Sequence, residues 1–69
     1  MVVDVNLLKS EIVKQGLTQG KLCEKAEISE STFSRRIKSG FFRTDEATRI
    51  IKVLKLKNPE KIFFAKKLT

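Results

Sequence analysis

The sequence predicts an all-α fold, a compact bundle of five short helices around one core, with two central helices joined by a tight turn. Apolar residues recur every three or four positions along most of the chain, which is helical spacing. Strand signals are weak, because no sustained apolar/polar alternation is bounded by hairpin turns. Gly16, Gly40 and Pro59 stand between the periodic stretches as breaks. Val2 and Val3 could begin a short edge strand, and the sequence leaves this possibility open.

Length and composition bound the remaining possibilities. Sixty-nine residues predict a single domain over residues 1–69, and 41% apolar residues are typical of a folded chain. One cysteine excludes an internal disulfide and a cysteine-rich zinc site. The absence of histidine removes the commonest general base and metal ligand. We therefore expect no enzyme, no metal, no cofactor and no small-molecule substrate.

Caps and apolar stripes mark the first helix, over residues 5–15. Asp4 precedes it as an N-cap, and Gly16 follows its end. Its apolar stripe consists of Val5, Leu8 and Ile12.

The second and third helices form the central pair. The second spans residues 19–26 behind the N-cap Thr18, and the third spans residues 30–39 behind the N-cap Ser29. Gly40 ends the third helix. The expected joint between the two consists of Leu22, Ala26, Ile28 and Phe33. Cys23 and Ile37 are expected on the buried faces of the second and the third helix.

The last third of the chain predicts two further helices. Thr44 is the expected N-cap of the fourth, and Asn58 followed by Pro59 predicts the start of a short fifth. Residues 65–69 form a basic tail that we expect to fray. The apolar stripe of the fourth helix is Ala47, Ile50, Ile51 and Leu54, and its outward side chains are Thr48, Arg49, Lys52 and Lys55.

The charge of +7, with an isoelectric point of about 9.9, is concentrated in one half of the chain. Residues 1–34 carry four bases and five acids, whereas residues 35–69 carry eleven bases and three acids. Residues 31–44 hold four bases and no acid. A one-sided basic field suits a polyanion such as nucleic acid. A solubilising surface is the alternative that charge alone leaves open.

Three short motifs carry a resemblance to a known family. The opening L-T-Q-x-x-L at 17–22, the I-S turn at 28–29 and the F-S-R step at 33–35 resemble the helix-turn-helix of the phage Cro and repressor (Xre-type) family. The resemblance covers about residues 5–65 and is strongest over 17–40. It implies a lambda-repressor-like fold whose second motif helix, 30–39, enters the major groove of DNA.

The function implied by this resemblance is that of a sequence-specific regulator of transcription that binds double-stranded DNA. A phage or prophage Cro-like repressor would bind a palindromic operator as a homodimer, in the cytoplasm of a bacterial host and associated with the nucleoid. No apolar run approaches the length of a membrane span, which agrees with that location. A monomer that pairs only on DNA is equally compatible with the sequence.

Two positions depart from the expected pattern. Glu27 stands where the family usually has glycine, because the chain there favours a left-handed conformation; this side chain either tolerates the strain or bends the turn differently. Gly20 lies inside the second helix, where glycine costs about 1 kcal/mol relative to alanine. Either a close approach of the DNA backbone or simple tolerance near a helix start explains it.

Polar side chains on the exposed face of helix 30–39 are the predicted base contacts. The guanidinium of Arg35 can bond guanine O6 and N7 together. Serine hydroxyls can bond bases or phosphates, and Glu30 either accepts from cytosine N4 or only complements the helix dipole. The predicted base-contacting residues are Glu30, Ser31, Ser34 and Arg35.

Phosphate contacts are predicted on both sides of this helix. Gln19 and the amides near Thr18 resemble the family's phosphate clamp, and a helix N-terminus favours an anion in any case. The stem of Arg36 can pack while its head reaches outward. The full predicted set is Thr18, Gln19, Lys21, Arg36, Lys38, Ser39 and Arg43.

A second function class stays open. A protein-interaction module of the same fold, such as an antitoxin or anti-repressor, would use exposed phenylalanines and the basic face against an acidic protein. In each of the pairs 41–42 and 63–64 we expect one phenylalanine to face the core and the other to remain partly exposed. The exposed members are where a dimer contact could form.

Overall fold

The computed structural model describes residues 1–64 and contains, within them, four helices and a small sheet. The helices are α1 (Val5–Lys14), α2 (Gln19–Ala26), α3 (Glu30–Ser39) and α4 (Thr44–Leu54). The other elements are β1 (Val2–Val3), a 3-10 turn (Pro59–Lys61) and β2 (Phe63–Phe64). The predicted, mostly helical character is confirmed, but the predicted count of five helices is wrong, because a 3-10 turn and a strand of a small two-stranded sheet stand in place of the fifth helix. The expected fraying of residues 65–69 lies outside the described residues.

The helices α2 and α3 have the predicted bounds, and α1 begins as predicted but ends one residue earlier, at Lys14. The side-chain oxygens of Asp4, Thr18 and Ser29 each accept a hydrogen bond from the amide three residues on, at 3.1, 3.1 and 3.2 Å. Each bond satisfies an amide that has no partner within its helix. Gly16 and Gly40, at φ of 73° and 72°, take the left-handed conformation that ends α1 and α3.

The start of α4 differs from the prediction by one residue. Arg43 is the N-cap and Thr44 is the first helical residue, so the predicted Thr44 cap is wrong. The Glu46 carboxylate accepts a hydrogen bond from the Arg43 backbone amide at 3.0 Å. A glutamate three positions into a helix commonly binds the N-cap amide in this way, and here that bond fixes the helix start without a threonine hydroxyl.

The end of the described chain forms a strand in place of the predicted fifth helix. Pro59 begins a single 3-10 turn, and β2 then pairs antiparallel with β1, with Val2 opposite Phe64. Val2 also forms an isolated bridge with Phe41 on its other side. The first strand therefore lies between two partner segments, not at an edge. These backbone bonds would be lost if the chain continued as a helix.

Three aromatic rings in the core connect α3 with the small sheet of β1 and β2. Phe42 lies with its ring centroid 5.5 Å from Phe33 and 6.0 Å from Phe63. The predicted division of each phenylalanine pair is confirmed, because Phe42 and Phe63 are buried whereas Phe41 is 43% and Phe64 38% exposed. The other fully buried large side chains are Leu8, Leu22, Ile50 and Leu54.

The helices are short, the longest being α4 with 11 residues. None of those in residues 1–64 combines the length and the apolar character that crossing a membrane requires.

Candidate nucleic-acid interface

The turn between α2 and α3 contains three residues, Glu27 to Ser29. Glu27 adopts φ 58° and ψ 44°, the left-handed conformation in which glycine was expected, so this position tolerates the strain. Hydrogen bonds hold it there. The Ile28 amide donates to the Cys23 carbonyl at 3.0 Å, and Arg49 donates to the Glu27 carbonyl at 3.2 Å. Ile28 is buried, so the turn is anchored on both sides.

The first turns of α2 and α3 lie against each other. A Cβ atom added at Gly20 would be 3.5 Å from the Glu30 carboxylate oxygen Oε2, an ordinary contact distance. The structure therefore places the Glu30 side chain over the start of α2, close to Gly20. An alanine would fit at Gly20 without displacing the helix. The close neighbour of this glycine in the fold is Glu30.

One outward face of α3 carries four of the predicted residues. Ser31, Ser34, Arg35 and Lys38 are all exposed and follow the spacing i, i+3, i+4, i+7, which aligns them along the helix. Phe33 lies on the opposite side and is buried. The helix thus presents an unbroken polar stripe to solvent.

The side chains of this stripe keep most of their hydrogen-bonding capacity. One guanidinium nitrogen of Arg35 donates to the Thr32 hydroxyl at 3.3 Å, which leaves the rest of the fork free. Ser31 shares a 3.4 Å contact with the Ser29 hydroxyl. Within residues 1–64, Ser34 forms no side-chain hydrogen bond. These groups can therefore bond a ligand without first breaking strong internal bonds.

The first turn of α2 supplies a second group of predicted residues beside Glu30. The Thr18 hydroxyl is occupied by the Lys21 amide, whereas Gln19 is exposed. The Lys21 ammonium lies 3.7 Å from Glu24, but both side chains are largely exposed and such pairs are weak. Gln19 and Lys21 therefore stay available to an anion.

At the C-terminal end of α3, unlike in the polar stripe, two of the predicted phosphate contacts are engaged in internal bonds. Arg36 donates to both carboxylate oxygens of Glu46, at 2.9 and 3.2 Å, and the Glu46 side chain is only 8% exposed. The Ser39 hydroxyl donates to the Arg36 carbonyl at 3.0 Å. Arg43 is exposed, 3.4 Å from Asp45. Arg36 thus holds α3 against α4, whereas the Ser39 hydroxyl is bonded to the backbone at the end of α3 itself. Of this group, Lys38 and Arg43 have exposed, charged side chains.

The ionisation of Glu46 follows from this pairing. Burial alone would raise the pKa of the Glu46 carboxyl. The hydrogen bonds from Arg36 and from the Arg43 amide, together with the Arg36 charge, outweigh burial and hold this pKa below its ordinary value. The pair is therefore ionised near neutral pH.

Two supporting residues were not predicted as part of the site. Arg49, expected to face outward, is half-buried, bonds the Glu27 carbonyl and pairs with Asp45 at 3.3 Å. The spacing of Asp45 and Arg49 by four residues could have indicated the pair, but no local signal indicates the carbonyl contact. Glu46 was recognisable from its place in the first turn of α4.

Cys23 is buried behind the turn, as expected of a core residue. Burial raises the pKa of its thiol, and the negative charge of Glu30 raises it further. Within the described part of the chain, no group of three or more His, Cys, Asp or Glu side chains could hold a metal ion.

Comparison with protein-family models, with curated proteins and with solved structures finds no match to this chain. The resemblance to the Cro and repressor family therefore stays a prediction from the sequence.

Proposed function

We propose that this protein is a sequence-specific regulator of transcription that binds double-stranded DNA, with α3 in the major groove. The observation that carries the proposal is the exposed polar stripe of α3, set beside the start of α2 by a three-residue turn. A groove about 12 Å wide admits one helix, and a helix that projects from a compact body on a tight turn suits it.

Base contacts are proposed for the stripe and for Glu30. Arg35 would bond guanine O6 and N7 with its free fork, and Ser31 and Ser34 would bond neighbouring base edges or phosphates. Glu30 would accept from a cytosine amino group or repel wrong sequences. The exposure of these side chains and their few internal bonds support this assignment.

Phosphate contacts are proposed on either side of the stripe. Gln19, Lys21 and the amides at the start of α2 would hold one strand, and Lys38 and Arg43 the other. The paired guanidinium of Arg36 and the bonded hydroxyl of Ser39 favour a structural role for these two residues.

We propose that a homodimer forms through the exposed face of the sheet of β1 and β2, which we call the terminal sheet. Phe41, Val2 and Phe64 are cross-strand neighbours, and neighbours in a sheet point to the same face. Two exposed phenylalanines flanking a valine form an apolar row that a second copy would cover. Two-fold symmetry would match half-sites about 34 Å apart in a palindromic operator, as in a Cro-like repressor.

Selection of bound sequences from a random duplex library, at controlled salt, tests the proposal directly. A palindromic consensus is expected, with affinity that falls steeply as salt rises, at about −0.9 per phosphate contacted on logarithmic axes. No enriched sequence, or a nearly flat salt dependence, would exclude this function.

Arg35→Ala is the decisive variant, with Lys52→Ala as a charge-matched control on the exposed side of α4. We expect Arg35→Ala to weaken consensus binding by about 5- to 150-fold and to relax one base position, because a bidentate contact contributes about 1–3 kcal/mol. Binding to random duplexes should change little, and both variants should remain folded.

Dimerisation has its own test, in which Phe41→Thr/Phe64→Thr is compared with Val13→Gln. Val13 is 75% exposed on α1 and is not part of the apolar row. We expect sedimentation to show loss of self-association, or of cooperative operator binding, in the double variant alone.

The second candidate is a protein-interaction module that does not contact bases. The exposed row formed by Phe41, Val2 and Phe64 favours it, since this surface would equally suit a different protein. DNA binding that is absent, or that Arg35→Ala leaves unchanged, would favour this alternative.

A further inference from the structure

A groove of about 780 Å³ lies where the ends of α1 and α4 meet the segment 55–62. Its apolar lining is only partly covered. Leu54 and Ile62 are buried beneath it, whereas Leu56 is half-buried and Leu7 is 44% exposed. The groove therefore offers contact area to an apolar side chain.

Four lysines line the same groove, against a single acid. They are Lys14, Lys55, Lys57 and Lys61, and the acid is Glu11. Within residues 1–64, no ion pair involves any of the four lysines. The Glu11 carboxylate accepts a hydrogen bond from the side-chain amide nitrogen of Gln15 at 2.8 Å. The same nitrogen also donates to the Leu54 carbonyl at 2.7 Å.

Helix ends account for only half of this charge. Lys14 and Lys55 lie at the C-termini of α1 and α4, where cations are favourable next to unpaired carbonyls. Lys57 and Lys61 lie outside both helices, yet they line the same groove. A concentrated positive rim around the exposed Leu7 and the half-buried Leu56 indicates a ligand that is both acidic and apolar.

We propose that this groove binds an acidic amphipathic helix of a partner protein. Its leucine-like side chains would cover Leu7 and Leu56, and its carboxylates would pair with the four lysines. A DNA backbone would satisfy the charges but leave the leucines exposed to water. The last five residues of the chain add two lysines and no acid, so their charge does not complement the groove.

The groove shares no residue with the polar stripe of α3 or with the first turn of α2. The proposal therefore adds a protein partner to the proposed function and does not depend on DNA binding.

A designed peptide of about 14 residues tests the proposal by fluorescence anisotropy. It carries leucines at i, i+3, i+4 and i+7 and glutamates between them, and a scrambled peptide of equal composition is the control. The groove variant Lys57→Glu/Lys61→Glu is compared with Lys25→Glu/Lys52→Glu, which changes the net charge equally at exposed lysines outside the groove.

We expect the groove pair to weaken peptide binding by about tenfold and the control pair by less than about threefold, because local rim charges act at short range. The scrambled peptide should bind weakly to both. Leu7→Asn, at an exposed position, should weaken binding about fivefold without changing its salt dependence.

Three results would overturn the proposal. The first is an equal loss of peptide binding in the groove variant and in the control variant. The second is a scrambled peptide that binds as tightly as the designed one. The third is a groove pair that loses binding to a random duplex of about 30 base pairs but keeps peptide binding, which would assign the groove to nucleic acid. If circular dichroism shows that Lys57→Glu/Lys61→Glu does not fold, the test rests on Leu7→Asn, and unchanged peptide binding in that variant would overturn the proposal.

Discussion

The helices α2 and α3 and the terminal sheet are held together over very different distances along the chain. The caps of α2 and α3 and the backbone–backbone bonds of the turn between them join residues that are three to five positions apart. In the sheet, the Phe42 amide donates to the Met1 carbonyl at 2.8 Å, and Val2 pairs with Phe64. Local bonds can form within one segment, whereas the sheet brings together residues that are remote in sequence and therefore costs more loop-closure entropy.

This difference predicts how each region responds to substitution. Changes to α2 and α3 should be modest where they remove one local bond. Changes to the residues that join the two regions should affect the entire fold, because these residues hold distant segments together.

The largest effect is expected from Phe42→Ala, since this ring contacts both Phe33 of α3 and Phe63 of β2. Truncation of a buried phenylalanine costs about 3–5 kcal/mol, which is comparable to the stability of a chain of this size. Urea unfolding followed by circular dichroism should show little or no folded state. Phe41→Ala, half-exposed, should cost less than about 1 kcal/mol. Equal losses would contradict the role of the aromatic contacts.

A smaller loss is expected from Glu46→Gln, which breaks the pair between α3 and α4. Removing one partner of a largely buried, hydrogen-bonded pair should lower the free energy of unfolding by about 2–3 kcal/mol. Exposed Glu24→Gln is the control, since its pair with Lys21 is weak.

The same pair predicts an acid sensitivity. Because the folded-state pKa of Glu46 is lowered, its contribution is complete above the ordinary pKa of a glutamate and is lost as pH falls through the folded value. Urea unfolding at about pH 7 and about pH 3 should show a smaller pH-dependent loss in Glu46→Gln than in the parent protein. An identical loss in both would mean that Glu46 is not the responsible group.

Loss of a single local cap should cost less. Thr18→Ala and Ser29→Ala should each lower the free energy of unfolding by about 1 kcal/mol, because each removes one bond to an otherwise unpaired amide. Thr48→Ala, exposed within α4, should be neutral or slightly stabilising, since alanine favours helix. Caps that cost nothing would argue against local encoding of α2 and α3.

The smallest effect, and one of opposite sign, is expected from Glu27→Gly. Glycine relieves a left-handed conformation worth about 1–2 kcal/mol but adds freedom to the unfolded chain, so we expect a net gain of about 0.5–1 kcal/mol. Glu24→Gly, inside α2, should destabilise by about 1 kcal/mol. A loss of stability in Glu27→Gly would show that the glutamate side chain contributes at the turn.

Much of the candidate interface could be predicted from the sequence. The positions of α2 and α3 followed from Thr18, Ser29 and Gly40, whose effects act within one helical turn. The exposure of Ser31, Ser34 and Arg35 followed from helical spacing around Phe33. The contacts of Arg36 with Glu46 and of Arg49 with the Glu27 carbonyl could not be predicted, because these groups meet only when α4 packs on α2 and α3.

The structure of residues 58–64, in contrast, could be predicted from the sequence only in part. Asn58 and Pro59 are a valid helix start, and the 3-10 turn begins there, but the segment then extends as β2. That outcome depends on Val2 and Val3, which supply backbone partners from the other end of the chain.

The sequence by itself determined four helices, three of their caps, the burial of one phenylalanine in each pair and the polar stripe of α3. These features depend on neighbours within a few residues, where capping and periodicity act. The tertiary structure alone decided the terminal sheet, the Arg36–Glu46 pair, the contact of Glu30 with α2 and the lysine-lined groove. Each of these joins segments that are remote in sequence, and their meeting depends on the packing of the whole core.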